Sequence, residues 1–200
     1  MEYIFLILIC LMFLMVLWVI LELNIKKLKQ IGEDKELDSI TKDFPDNIDI
    51  CKNILNKLGN DNVNIKEDKD SKTSLYVVVT NTITIANIRD SYTRIQTVAH
   101  ECIHSIQSKR MLWFNFIYTN IYMLYFLIVS ILTVCNVITK PSIFLYMLIV
   151  MGMVQYFIRS MLETDAMTKA RYIAKEYLEE NNICSKENVN KIVSKYDELN

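Results

Sequence analysis

Hydrophobic residues along this chain are gathered into blocks, and the spacing inside each block predicts the element it forms. Residues 3–23, YIFLILICLMFLMVLWVILEL, carry no charge before Glu22. At about 1.5 Å per residue such a helix reaches about 30 Å, one hydrocarbon thickness, which predicts a transmembrane span. A secretory signal opens on basic residues and closes on small ones. Here Glu2 follows Met1 and the run is long, so the expectation is an uncleaved anchor. Two further apolar blocks, roughly 114–138 and 141–158, are separated only by Thr139 and Lys140, which predicts a transmembrane hairpin with a tight turn.

The polar stretches read differently. KKLKQIGEDKELDSITKD is a solvated linker or a short helix, ended by Pro45. From Asn47 the period turns helical, with Ile48, Cys51, Ile54, Leu55 and Leu58 on one face and Gly59 as the stop. VNIKED predicts a short strand, and LYVVVT and TITIA, joined around Asn81, a small antiparallel β-hairpin. From Ser91 to Ser108 the helical period returns. Ile95, Val98, Ala99, Cys102, Ile103 and Ile106 form one stripe, Gln96, His100, His104 and Gln107 the opposite one, with Asp90 or Ser91 available as a cap. LETDAMTKARYIAKEYLEE and SKENVNKIVSKYDELN predict two more helices.

The expected fold is therefore mainly α with a small antiparallel β-hairpin, three transmembrane helices carrying a polar domain. The expected organisation is an anchor at 1–23, a helix, hairpin and histidine-bearing helix at 24–112, a transmembrane hairpin at 113–158 and a second polar helical region at 159–200. Lys26, Lys27, Lys29, Lys109, Arg110 and Arg159 flank one side of the spans, against Lys140 alone in the far turn. By the positive-inside rule the polar parts face the cytoplasm and the N-terminus lies outside. A formal net charge of -1 offers no basic footprint for nucleic acid. Five cysteines without a CxxC pair predict reduced, separately placed thiols.

Candidate chemistry is concentrated in TVAHECIHSIQ, which holds the chain's 2 histidines. At i and i+4 both imidazoles leave one helix face and can bind a single Zn2+ at about 2.0–2.1 Å each. Glu101, turned about 100° from His100, suits a base acting on water better than a ligand. Cys102 falls inside the apolar stripe and reads as core. A catalytic zinc takes a third protein ligand and leaves a position open. With no other histidine, that ligand is a carboxylate or a cysteine. Glu163 heads a stripe of small residues, Ala166, Ala170 and Ala174, that lets its helix approach closely; Asp165, about 200° further round, is the alternative. The hairpin returns the chain to the side it left, so Glu163 follows the last span as the histidines precede the hairpin.

HECIH, a hairpin of two spans and then E-x-x-A on a helix resemble the glutamate-zincin integral membrane peptidases, including the HtpX-type and CAAX-prenyl proteases. The pattern is closer to the YugP-type neutral zinc metallopeptidases, through the anchor, ICKNILNKLGNDNVNI, HECIHSIQ and ETDAMTKA. Two features depart from that family: Ile103 stands where a glycine usually precedes the second histidine, and an acidic, tyrosine-containing stretch ahead of the strand is missing. The resemblance implies a zincin-like cytoplasmic domain at a bacterial membrane, with zinc held by His100, His104 and Glu163 and Glu101 as general base. It also implies hydrolysis of peptide bonds in membrane or membrane-proximal proteins. A zinc-binding, non-hydrolytic scaffold is the alternative. Arg171 and Tyr172 are conceivable donors to an oxyanion, and either TITIA or LYVVVT a conceivable edge for an extended substrate.

Overall fold

The computed structural model describes residues 32–42, 44–71, 73–138 and 140–199, together with Met12. The expected anchor at 3–23 lies outside the described residues, Met12 apart. The charged stretch contains a short helix, α1 (Lys35–Thr41), started by Asp34, whose Oδ1 accepts from the Glu36 and Leu37 N–H groups at 3.1 and 3.2 Å. Helix α2 (Asn47–Lys57) buries Ile50, Cys51, Ile54 and Leu55; its apolar face is turned so that Ile50 rather than Ile48 is enclosed. It stops at Gly59, whose φ of 68° only glycine adopts cheaply. There the Gly59 N–H donates to the Asn56 carbonyl and the Asn60 N–H to the Leu55 carbonyl, both at 3.0 Å, closing a Schellman cap.

Three strands follow, β1 (Asn64–Asp68), β2 (Leu75–Val77) and β3 (Thr82–Ala86), in the order β1-β3-β2. β2 and β3 pair antiparallel, as the sequence suggests. The sheet as a whole is nevertheless mixed, because β1 lies parallel to β3, from Asn64 opposite Thr82 to Asp68 opposite Ala86. β3 is therefore the middle strand, which is why Thr82, Ile83, Ile85 and Ala86 are all buried. TITIA is excluded as a substrate edge. β2 pairs only with β3 among the described strands and leaves its other edge open.

Helix α3 (Arg94–Ile106) carries both histidines. It begins later than Asp90 or Ser91 would cap it. Ser91 Oγ instead accepts from the Thr93 N–H at 3.3 Å, making a turn ahead of the helix. Ile95, Val98, Ala99, Cys102 and Ile103 are enclosed, whereas Ile106 is exposed. The opposite stripe is not solvated either, since Gln96 and Gln107 are buried. Asn60 Nδ2, just past the α2 cap, donates to the Ser105 carbonyl at 3.2 Å and to Ser105 Oγ at 3.0 Å, fixing the end of α3 against α2. The Cys51 and Cys102 sulfurs lie 3.6 Å apart in the core, unbridged. Contact with Cys51, then burial, pushes the Cys102 thiol well above its ordinary range. It packs as a thiol.

Helices α4 (Lys109–Val134) and α5 (Pro141–Glu180) are, among the described residues, the two long and apolar enough to cross a membrane. They form a hairpin. Gly152 leaves room for Tyr122 across it, since a Cβ there would stand 3.1 Å from Tyr122 Oη. The two blocks expected at 141–158 and 162–180 are one continuous helix, because Arg159, Ser160 and Met161 all accept helical geometry. Helix α6 (Lys186–Leu199) closes the core through Val189, Ile192 and Tyr196, whose Oη donates to the Tyr92 carbonyl at 2.9 Å.

Candidate metal centre

The second half of α5 lies along α3 in the most extensive helix–helix contact among the described residues. Small residues make that possible, for Ala166, Ala170 and Ala174 are each fully enclosed. One turn before Ala166, the same face presents Glu163. Its Oε2 is 3.3 Å from His100 Nε2 and 3.6 Å from His104 Nε2, and the two Nε2 atoms are 3.0 Å apart. His100, His104 and Glu163 thus form a group that can hold a metal ion. Ligands at about 2.0–2.1 Å in a tetrahedral arrangement are about 3.3 Å from one another, so the spacing suits such an ion. Glu163 heads the stripe as expected, and Asp165 stands outside the triangle.

The chemistry of the donors makes the same point. Gln107 Nε2 donates to the Leu162 carbonyl at 2.8 Å and to Asp165 Oδ2 at 2.9 Å, which turns its Oε1 toward His104 Nδ1, 2.9 Å away. An amide oxygen can only accept, so His104 Nδ1 carries the proton and Nε2 presents a lone pair to the triangle. A nitrogen lone pair and a carboxylate oxygen facing a second imidazole nitrogen repel unless a cation or a proton sits among them. Without metal, the proton does so. Burial alone would lower the His104 pKa, but the hydrogen bonds it donates to Glu163 and Gln107 and the charge of Glu101 raise it overall. Contacts with His100 and then His104 hold the Glu163 carboxyl well below the usual carboxylate range. His100 Nδ1 is buried and has no partner among the described residues.

Asp165, about 200° around the helix from the ligand face, nevertheless belongs to the site's support. Lys169 and then Gln107 lower its pKa, so it stays ionised and anchors the glutamine that orients His104. Gln107 and Asp165 were the residues sequence reasoning passed over in this role. The available signal was the i,i+3 spacing of Gln107 from His104, which puts both on one face.

Glu101 is 6% exposed and lines the cleft that also contains both histidines and Glu163. Burial raises its pKa, opposed by His100, His104 and a hydrogen bond from the Tyr76 backbone N–H. That last contact comes from β2, so the open strand edge and the carboxylate face the same space. The cleft holds about 900 Å³ and is walled by residues 73–79 on one side and by α4 and α5 on the other. Arg159 is its basic lining residue, with Nε 3.7 Å from Glu163 Oε1. Arg171 and Tyr172 do not line it. Arg171 is held by Asp197 at 2.8 Å and stacks on the Tyr172 ring.

Compared with protein-family models, curated proteins and solved structures, the chain matches none.

Proposed function

We propose that this protein is a membrane-integral zinc peptidase of the YugP type, cutting membrane or membrane-proximal proteins at the cytoplasmic face of a bacterial membrane. The observation that carries the proposal is the shared cleft. Three metal-ligating atoms, a buried glutamate and the open edge of β2 all face it. A metal-ligand triangle alone fits a structural site, but the glutamate and the strand edge fit hydrolysis of an extended chain.

His100, His104 and Glu163 would hold the zinc ion, which when bound would supply Lewis-acid activation of water. Gln107 keeps the His104 proton on Nδ1 so that Nε2 remains a donor. Glu101 accepts the proton lost by the attacking water and returns it to the departing amine nitrogen. Its burial favours that exchange, because a raised pKa makes the carboxylate a stronger base toward the proton. The open edge of β2, where the Tyr76 N–H already holds Glu101, offers its remaining backbone groups to an extended peptide without reading its side chains. Lysines and arginines beside the span ends support a cytoplasmic position for this cleft.

The test is cleavage of a bilayer-tethered fluorogenic peptide by the reconstituted protein. Glu101→Gln should lower the rate by about a hundredfold or more with its zinc content unchanged. Unchanged cleavage by that variant sinks the proposal, whereas bound zinc with no Glu101-dependent cleavage selects the scaffold reading.

A further inference from the structure

The cleft runs past the metal ligands. Beyond Glu163 and Arg159 its wall continues to Asn115, Thr119, Asn120 and Gln155, on facing turns of α4 and α5. These carboxamides and the hydroxyl sit inside the two apolar blocks. Polar groups at membrane depth are costly and mark functional sites when they face a cavity.

Their hydrogen bonding is incomplete in one particular way. Gln155 Nε2 donates to Asn115 Oδ1 at 3.0 Å and to Thr119 Oγ1 at 2.6 Å. The Thr119 hydroxyl gives its own hydrogen to the Asn115 carbonyl at 2.7 Å. Gln155 Oε1 is buried and has no partner among the described residues. Because Asn115 Oδ1 faces Gln155, the Asn115 Nδ2 donor is turned away from that contact. The cluster therefore holds one unpaired acceptor, Gln155 Oε1, and a carboxamide donor, Asn115 Nδ2, on facing turns of α4 and α5, the two kinds of group that a peptide unit complements.

We infer that Asn115, Thr119 and Gln155 form a peptide-binding ledge at the bilayer end of the cleft. Gln155 Oε1 accepts from a backbone N–H of a substrate segment leaving the membrane, and Asn115 Nδ2 donates to a neighbouring carbonyl. This rests on the peptidase reading and adds the residues that select membrane-embedded substrates. A helical segment has already used its N–H groups internally, so the ledge takes only a stretch that has unwound on its way to β2. A lipid phosphate is a poor occupant. It is an acceptor with no hydrogen to give Gln155 Oε1, and Arg159, the lone lysine or arginine lining the cleft among the described residues, is beside Glu163.

The test uses the full chain carrying Glu101→Gln, in nanodiscs, so that binding is read without turnover. One fluorescent probe is a peptide with an apolar span of about 20 residues followed by an extended polar segment; the other is the polar segment alone. Gln155→Leu should weaken capture of the anchored probe by about tenfold, the loss of one buried hydrogen bond, and leave the soluble probe unaffected. Equal weakening of both probes, or of neither, overturns the ledge. Zinc content of the variant serves as the check on folding. Should Gln155→Leu lose zinc, a photoreactive benzoylphenylalanine placed at Asn120 leaves the cluster intact. Cross-links to the anchored probe support the ledge, while cross-links only to lipid or to residues 3–23 overturn it. If the wild-type chain cleaves nothing and anchored-probe capture still depends on Gln155, the peptidase reading fails and the ledge stands.

Discussion

The two halves of α5 belong to one unbroken helix and obey opposite packing rules. From Pro141 to Ile158 the outward residues are large and apolar, such as Ile143, Met147, Met153 and Phe157, and they remain exposed. From Arg159 onward the outward face is largely charged, and between Leu162 and Tyr177 the inward face carries Ala166, Ala170 and Ala174, completely enclosed. The first half tolerates a loose neighbour, whereas the second requires a close one, because a glutamate must reach two histidines on another helix. Close approach is what places the site, and bulk or orientation on that contact is where it breaks.

The largest effect is expected from Ala166→Leu. The added side chain has no space against α3, so overpacking should cost about 1–3 kcal/mol and move Glu163 away from the histidines. Thermal unfolding and zinc content should both fall. Added bulk on the first half, Ile143→Phe at an exposed position, should leave both within about 0.5 kcal/mol. Equal sensitivity of the two halves would contradict the comparison.

Next in size is Gln107→Ala, which removes the acceptor that fixes the His104 tautomer without touching a ligand. Zinc affinity should drop about 10–100-fold, read by competition with a chelating dye. An unchanged affinity would mean that Gln107 merely packs.

A smaller effect is expected from pH, and its sign depends on the metal. His104 has a folded-state pKa raised above its ordinary 6.5, so its contribution is complete below that value and is lost as pH climbs through the raised one. Glu163 is lowered from 4.5, so its contribution is present above that value and disappears only in strong acid. Metal-free protein should therefore be most stable in mild acid and weaken as pH rises past neutrality. Zinc-loaded protein should gain over the same range, because binding needs His104 unprotonated. Melting curves with and without zinc, from about pH 5 to 9, should diverge. Parallel curves would remove the proton from the ligand triangle.

Smallest is Gly152→Ala, where the new methyl meets only the end of the Tyr122 side chain. A loss below about 1 kcal/mol is expected in the melting curve.

Much of this arrangement was legible in residue spacing. The i,i+4 histidines, the alanine stripe headed by Glu163 and the two apolar blocks are periodic signals, and periodicity survives folding. What escaped depends on tertiary partners. Nothing in NIKED or TITIA states that those strands run parallel, since direction relative to a non-adjacent strand leaves no trace in alternation. The continuity of α5 was hidden because polarity changes at Arg159 while helix propensity does not. Ile50 replaced Ile48 in the core because α2 is rotated by its neighbours. Gln107 had its i,i+3 spacing from His104 as a signal, but its bonds to Leu162 and Asp165, and those of Gln155 to Asn115 and Thr119, were unreadable because they join helices that only the fold brings together.

Metal content per chain tests the central claim most directly, measured by elemental analysis on the wild type and on Glu101→Gln, His104→Ala and Glu163→Ala. About one zinc per chain in the first two and little in the last two is the predicted result. Zinc retained in Glu163→Ala, or absent from the wild type, would contradict the ligand triangle at the contact of α3 and α5.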